Sequence, residues 1–375
     1  MKVSILQENL AKGLSIVGKF VSSKAQLPIL ENILLVAETG SLKLSTTNLE
    51  TGINLWLPAK IEKAGRITIL AKIIVEFISS LPADKVFLEL NQDKLEITCR
   101  NYKASFNGIS ASEFPAIPSL KNKKPTKKTE KFSLNTKTFI NAINQMVFTA
   151  ASDEARPILT GIKLEFLKNK LILSATDGYR LSSKEIELKT GIKPQTLIIP
   201  ASALAELSRI CSQEEKGEDK IILAKEENQI IFSYNQTEII TRLIEGEFPD
   251  FSKIIPQDNE TKITVNKEEL FKAIKTASIL AKDSANIVKL KIKDSSLEIM
   301  ADAPEVGQNI IKLEIKKQGK DGEIAFNYRF LQEYLNIIDE KEILLEINGS
   351  LKPGVFKFIK DSSFLHIIMP VRIQE

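Results

Sequence analysis

The chain repeats itself three times, and internal repetition at this length leaves few folds open. VSILQENLAKGL begins at Val3, FSLNTKTFINAI at Phe132 and ITVNKEELFKAI at Ile263. Each string reads as a short alternating strand, a polar turn and a helix start. The first helical anchor falls seven residues on in each copy, at Leu10, Phe139 and Leu270. The register then persists. LPILENILL from Leu27 matches RPILTGIKL from Arg156 at an offset of 129, and SLKLSTTNLETG from Ser41 matches KLILSATDGYRL from Lys170 at the same offset. The third copy, NIVKLKIKDSSLEIMADAPEVG from Asn286, follows with a loop about five residues shorter.

Each copy has a second half. ITILAKIIVEFISSL from Ile67, TLIIPASALAELSRI from Thr196 and EIAFNYRFLQEYLNII from Glu323 each read strand, turn, helix. In the first, Ile73, Ile74, Phe77, Ile78 and Leu81 form an apolar helical stripe; Leu204, Leu207 and Ile210 do the same in the second. Two further strands follow, such as KVFLEL with KLEITC. SEFPAIP at Ser112 and GEFPDF at Gly246 close the first two copies. The expected fold class is therefore α+β: three repeated domains of antiparallel sheets, each with two amphipathic helices. The expected domains are residues 1–122, 130–256 and 257–375, with the lysine-rich segment 119–131 as a solvated connector.

Charge narrows the function. The net charge is +4. Residues 1–122 contribute +3, 123–131 contribute +4, 132–256 contribute −2 and 257–375 contribute −1. This is not the balance of a tight nucleic-acid binder, so any such contact is local and weak. No apolar run approaches the ~20 residues of a membrane span, and cytoplasmic residence is the default expectation. Cys99 and Cys211 stand far apart outside any Cys-x-x-Cys motif and read as reduced, semi-buried thiols.

Catalytic motifs are missing. A Ser-His-Asp or Cys-His arrangement would have to use His366, the single histidine, which sits in an apolar strand as a partly buried residue. There is no Gly-x-Ser-x-Gly and no Gly-x-Gly-x-x-Gly, and Gly13–Lys19 is followed by Phe20 rather than the Ser or Thr that a Gly-x-x-x-x-Gly-Lys phosphate loop needs. Neither an enzyme, nor a cofactor, nor a metal site is expected.

Four motifs carry a family resemblance over essentially the whole chain: LPILENILL, ATDGYRL from Ala175, GEFPDFSKIIP from Gly246 and IIMPVRI from Ile367. With the triple repeat, they make the chain resemble the bacterial DNA sliding clamps, the beta subunits of DNA polymerase III. The resemblance implies a non-enzymatic processivity factor that forms half of a closed ring. Two copies would close head to tail, six domains around duplex DNA, with helices lining the hole. It implies partners that bind through short linear motifs: the polymerase III alpha subunit, the clamp loader, and other polymerases and repair proteins. A clamp-like scaffold that binds peptides without closing is the alternative.

The same resemblance assigns residues. DNA contacts fall on Lys24, Lys72 and Arg156. Other basic residues expected on the polar sides of helices are Lys12, Lys19, Lys137, Lys272, Lys275, Lys282 and Arg329. Lysine attracts phosphate without reading bases, which suits a sliding ring, although it also simply solubilises a helix. Pro157 and Ile158 stand where well-known members place aromatic residues. The peptide pocket is implied at Leu159, Thr176, Gly178, Tyr179, Arg180, Leu181, Pro249, Ile254, Ile368, Met369, Pro370, Val371 and Arg372. Leu181 and Met369 would form its floor, and Arg180 and Arg372 its charged frame. Tyr179 and Lys253 vary from common family choices. The dimer contact is implied at Phe106, in the edge strand KASFNGI, against Ile279 and Leu280.

Overall fold

Val3 and Ile5 turn inward while Lys2 and Leu6 face solvent, the period of a strand buried on one face. That pattern opens each repeat. The computed structural model describes residues 1–21, 27–121, 130–153, 155–188, 192–213, 217, 219–251, 253–256 and 258–372.

The first repeat runs β1 (Lys2–Leu6), α1 (Gln7–Val17), β2 (Asn32–Glu38), β3 (Ser41–Thr47), β4 (Thr51–Pro58), β5 (Lys60–Lys63), β6 (Gly65–Leu70), α2 (Ala71–Ser80), β7 (Lys85–Asn91), β8 (Lys94–Cys99) and β9 (Tyr102–Asn107). The second runs β10 (Glu130–Asn135), α3 (Thr136–Val147), β11 (Gly161–Phe166), β12 (Lys170–Thr176), β13 (Arg180–Glu187), β14 (Gln195–Pro200), α4 (Ala201–Ser212), β15 (Lys220–Glu226), β16 (Gln229–Tyr234) and β17 (Thr237–Arg242). The third runs β18 (Thr261–Asn266), α5 (Lys267–Ala281), β19 (Ile287–Lys293), β20 (Ser296–Ala303), β21 (Gly307–Glu314), β22 (Lys316–Gly319), β23 (Gly322–Asn327), α6 (Tyr328–Ile337), β24 (Glu342–Ile347), β25 (Gly354–Phe358) and β26 (Phe364–Ile368). The order is the same each time apart from the short β5 and β22.

The chain packs as two compact units, residues 1–137 with 206–243, and residues 138–205 with 244–375. The first holds a five-stranded sheet, β5-β1-β7-β8-β9, and an eight-stranded sheet, β10-β15-β16-β17-β4-β3-β2-β6. The second holds a nine-stranded sheet, β14-β11-β12-β13-β26-β25-β24-β18-β22, and a four-stranded sheet, β21-β20-β19-β23. Each large sheet fuses halves from successive repeats. In the first unit the seam is β4 on β17, with Thr51 opposite Thr241 and Ile53 opposite Ile239. In the second it is β13 on β26, with Arg180 opposite Ile368 and Ser182 opposite His366. β4 and β13 hold equivalent places in their repeats, as do β17 and β26. The strands left over by this rule are β21 and β9, and each lies at the edge of its sheet.

The helices bury one stripe. Leu10, Phe139 and Leu270 are buried, as are Leu204, Leu207 and Ile210. On α2 the expected stripe needs correction. Ile74, Ile78 and Leu81 are buried, but Ile73 is largely exposed, because adjacent helical positions diverge by about 100°. Phe77 is half-buried and meets Phe106 edge-on at 5.2 Å. Asn266 and Asn327 end their strands and cap α5 and α6, accepting backbone N–H bonds from Glu268 and Glu269 and from Arg329.

A charged clip holds one end of the β13–β26 seam. The Lys184 ammonium donates to Asp361 and, at 2.7 Å, to Ser363 Oγ. Burial alone would raise the Asp361 carboxyl. Hydrogen bonds from Lys184 and Ser363, with the lysine charge, outweigh burial and hold it below the ordinary carboxylate value. A lowered folded pKa contributes stability above the unfolded value of ~3.9, and that contribution is lost as pH falls through the folded value. Asp361→Asn should therefore destabilise the fold at pH ~7, by about 1 kcal/mol for this part-buried pair, read as a lower urea midpoint, and the difference should shrink at pH ~3. A difference of equal size at both pH values would assign the effect to packing instead.

Candidate functional site

The β12–β13 turn is built by its own side chains. The Thr176 hydroxyl donates to the Arg180 carbonyl at 2.6 Å and accepts the Gly178 N–H at 3.0 Å. Asp177 Oδ1 accepts from the backbone N–H groups of Tyr179 and Arg180. Gly178 sits at φ +94°, where an L side chain is strained, and a Cβ there would press on the Arg156 guanidinium at 3.3 Å. The Thr-Asp-Gly spacing is thus a turn requirement. Tyr179 emerges at the apex, 63% exposed, with Phe330 stacked beside it at 6.4 Å.

Arg180 turns the other way. It is only 7% exposed. Its Nε bonds Asp177 Oδ2 at 2.9 Å, its Nη2 donates to the Phe148 carbonyl at 2.7 Å and its Nη1 lies 2.5 Å from Glu333 Oε2. The guanidinium also stacks over the rings of Phe330 and Phe148. Its charge is spent inside the unit, so the expectation of a charged pocket frame is corrected for this residue. Leu181 packs with Val355 and Ile367 against Phe251, Ile255 and Leu365.

His366 is fully buried rather than partly so. Its Nδ1 lies 2.8 Å from Ser182 Oγ, which in turn lies 2.7 Å from Thr149 Oγ1. Its ring stacks on Tyr334 at 4.8 Å. Burial first, then the nearby Arg180 charge, pushes its pKa well below the ordinary value, so the ring is neutral. A serine and a histidine do meet here, but at 0% exposure, and among the described residues no carboxylate reaches the other ring nitrogen. A nucleophile in that position has no path to substrate.

Beside this core lies a hollow of about 430 Å³. Lys253, Ile254, Ile255 and Pro256 form one wall, Asn348, Lys352 and Pro353 the facing loop, and Met369 and Asp258 complete it. The tail that carries Met369 is tied down by backbone bonds from Met369 N–H to the Tyr179 carbonyl and from Val371 N–H to the Ala325 carbonyl, each 2.9 Å. Of the expected pocket residues, Ile254 and Met369 line the hollow, and Leu181 shares its apolar cluster with Ile255. Leu159 and Ile368 are core, Pro370 and Val371 half-buried, and Pro249 and Arg372 exposed away from the lining. Asn348, Lys352 and Pro353 were missed, because a loop without periodicity gives no signal.

The basic residues are dispersed. Lys72 is exposed in the first turn of α2, in the first unit. Arg156 is exposed in the second; it belongs to no α-helix and precedes a 3-10 turn at Pro157–Thr160. Lys24 lies outside the described residues. Lys12, Lys19, Lys137, Lys272, Lys275, Lys282 and Arg329 are exposed. Of the expected interface residues, Ile279 is 66% exposed near the end of α5, while Leu280 and Phe106 are half-buried. Among the described residues no group of three or more His, Cys, Asp or Glu could hold a metal, and no helix is long and apolar enough to cross a membrane.

Repeats fused through shared sheets, with a spare strand edge in each unit and a hollow beside a tethered tail, define a repeat-built α+β protein. Family models for the N-terminal, central and C-terminal domains of the DNA polymerase III beta subunit match residues 1–118, 133–250 and 252–372. The chain belongs to that family. It is 30% identical to the beta sliding clamp of Bacillus subtilis (strain 168), covering 99% of this chain and 100% of the relative. It is also 30% identical to the beta sliding clamp of Staphylococcus aureus (strain Mu50 / ATCC 700699), over 94% of each. Its structure superposes on the crystal structure of the Bacillus subtilis DNA polymerase sliding clamp with a TM-score of 0.92 at 28% identity, and on the Thermotoga maritima DNA polymerase III beta subunit with 0.91 at 26%, covering 100% of each chain in both cases.

Proposed function

We propose that this chain is a sliding clamp: two copies close head to tail around duplex DNA in the cytoplasm and tether polymerases to it. One observation carries the reading. Equivalent strands pair at two seams, and β9 and β21, each at a sheet edge, are the equivalent pair that lacks this contact among the described residues. A second copy offering β9 to β21 satisfies both edges, and the same contact repeated closes the assembly.

The internal repeat sets the register. Thr51 and Arg180 correspond to Gly307, while Thr241 and Ile368 correspond to Phe106. Gly307 should then face Phe106, Asn309 face Ala104, and Ile311 face Tyr102. This ladder covers the exposed Tyr102 and Ile310, and it brings a neighbour to Asn309, whose buried Oδ1 finds no partner among the described residues. DNA retention comes from enclosure, because lysines such as Lys72, with Lys24 and Arg156, give only weak, salt-screened attraction to phosphate. The hollow accepts apolar anchors of linear motifs from the polymerase III alpha subunit, the clamp loader, and other polymerases and repair proteins, with Met369 as an adaptable wall.

The register gives a direct test. Ala104→Cys with Asn309→Cys should yield a covalently closed dimer on a non-reducing gel after mild oxidation, and neither single variant should. Absence of the crosslink in the double variant would move the interface or shift its pairing.

A further inference from the structure

We propose that Asn348 is a site of spontaneous deamidation, and that its conversion cuts a tie between the β24–β25 loop and the stretch ahead of β18. The sequence holds two Asn-Gly pairs, Asn107–Gly108 and Asn348–Gly349. A glycine after asparagine leaves the next backbone nitrogen unshielded and its dihedrals free, so local chemistry treats the two pairs alike. The fold separates them. Asn107 ends β9 opposite Lys94. The Gly108 N–H donates to the Asp93 carbonyl at 2.8 Å, and Ile109 exchanges backbone bonds with Thr68. Gly108 packs so closely that a Cβ there would lie 2.5 Å from Ile67 Cγ1. Its nitrogen cannot turn toward the Asn107 side chain without breaking the end of the sheet.

Asn348 lies one residue past β24, and Gly349 is exposed at φ +78° with nothing within 4 Å of where a Cβ would stand. Among the described residues no hydrogen bond holds the Gly349 N–H. The reaction needs only water. The Gly349 nitrogen, giving its proton to hydroxide, attacks Asn348 Cγ. The N–Cγ bond forms, the Cγ–Nδ2 bond breaks and ammonia leaves. Water then opens the cyclic imide, at Cγ to give aspartate or at the backbone carbonyl to give isoaspartate, whose main chain runs through Cβ. Asn348 Nδ2 is the donor to the Asp258 carbonyl at 3.3 Å. Neither product keeps that donor, and the new carboxylate confronts the carbonyl oxygen. Asn348 and Asp258 border the same hollow, so the change places a second carboxylate there.

The test is peptide mapping of the full chain after incubation at mildly alkaline pH, with isoaspartate counted by enzymatic methyl transfer. In the folded protein Asn348 should convert at least about tenfold faster than Asn107, equivalent to ~1.4 kcal/mol in the barrier. In urea the two rates should converge, because the contrast belongs to the fold. Asn348→Asp, which carries the product charge without the reaction, should speed hydrogen exchange at the Glu260 N–H, which is bonded to the Ile347 carbonyl beside the tie. Equal rates at the two pairs in the folded chain, or an Asn348 that stays intact while Asn107 converts, overturns the assignment of the site. Unchanged exchange at Glu260 in Asn348→Asp overturns the role of the tie.

Discussion

Ile279→Asp is expected to convert the dimer into a folded monomer. Ile279 is 66% exposed within its own chain, so the substitution removes almost no internal packing. If the proposed interface covers the same position, an uncompensated buried charge there costs several kcal/mol, roughly 3–5. Each ring contains the contact twice, so the penalty is applied at both closures. Half-buried Leu280 is a poorer choice, because altering it would disturb α5 itself. Sedimentation velocity at micromolar concentration should show a single monomer boundary with an unchanged melting temperature. A variant that still sediments as a dimer would place the interface elsewhere.

The second large effect is on stability. Arg180→Ala is expected to cost about 3 kcal/mol in urea unfolding. The change strands the Phe148 carbonyl, leaves Asp177 and Glu333 without their shared cation, and opens a gap between two aromatic rings. Arg180→Lys should recover little, since one ammonium cannot reach three partners in different directions. A loss below about 0.5 kcal/mol for the alanine variant would mean that the guanidinium network is idle.

These two residues mark where the sequence is and is not readable. The repeat was legible because core positions recur: Leu10, Phe139 and Leu270 mark helix starts at fixed spacing, and all three are buried. The fusion of half-sheets was not. Ser182 and His366 meet across the β13–β26 seam from positions 184 residues apart, and pairing at that distance leaves no periodic trace. That is why the packed units cut through the middle repeat. Arg180 reads as a surface cation in isolation; only the arrival of Glu333 and Phe330 from α6 makes its burial tolerable. His366 sits in an apolar strand, yet Ser182 was needed to satisfy it. In the hollow, the family motifs point to Ile254 and Met369, while the facing loop with Lys352 and Pro353 has neither motif nor period to reveal it.

The central claim is enclosure, and topology tests it most directly. Clamp placed by its loader on nicked circular DNA should stay bound at moderate salt through gel filtration, although a near-neutral chain has little direct affinity. Cutting the circle once should release it, because a ring slides off an end. Equal retention on circular and linearised DNA would contradict the account, since it would show that contacts rather than closure hold the protein in place.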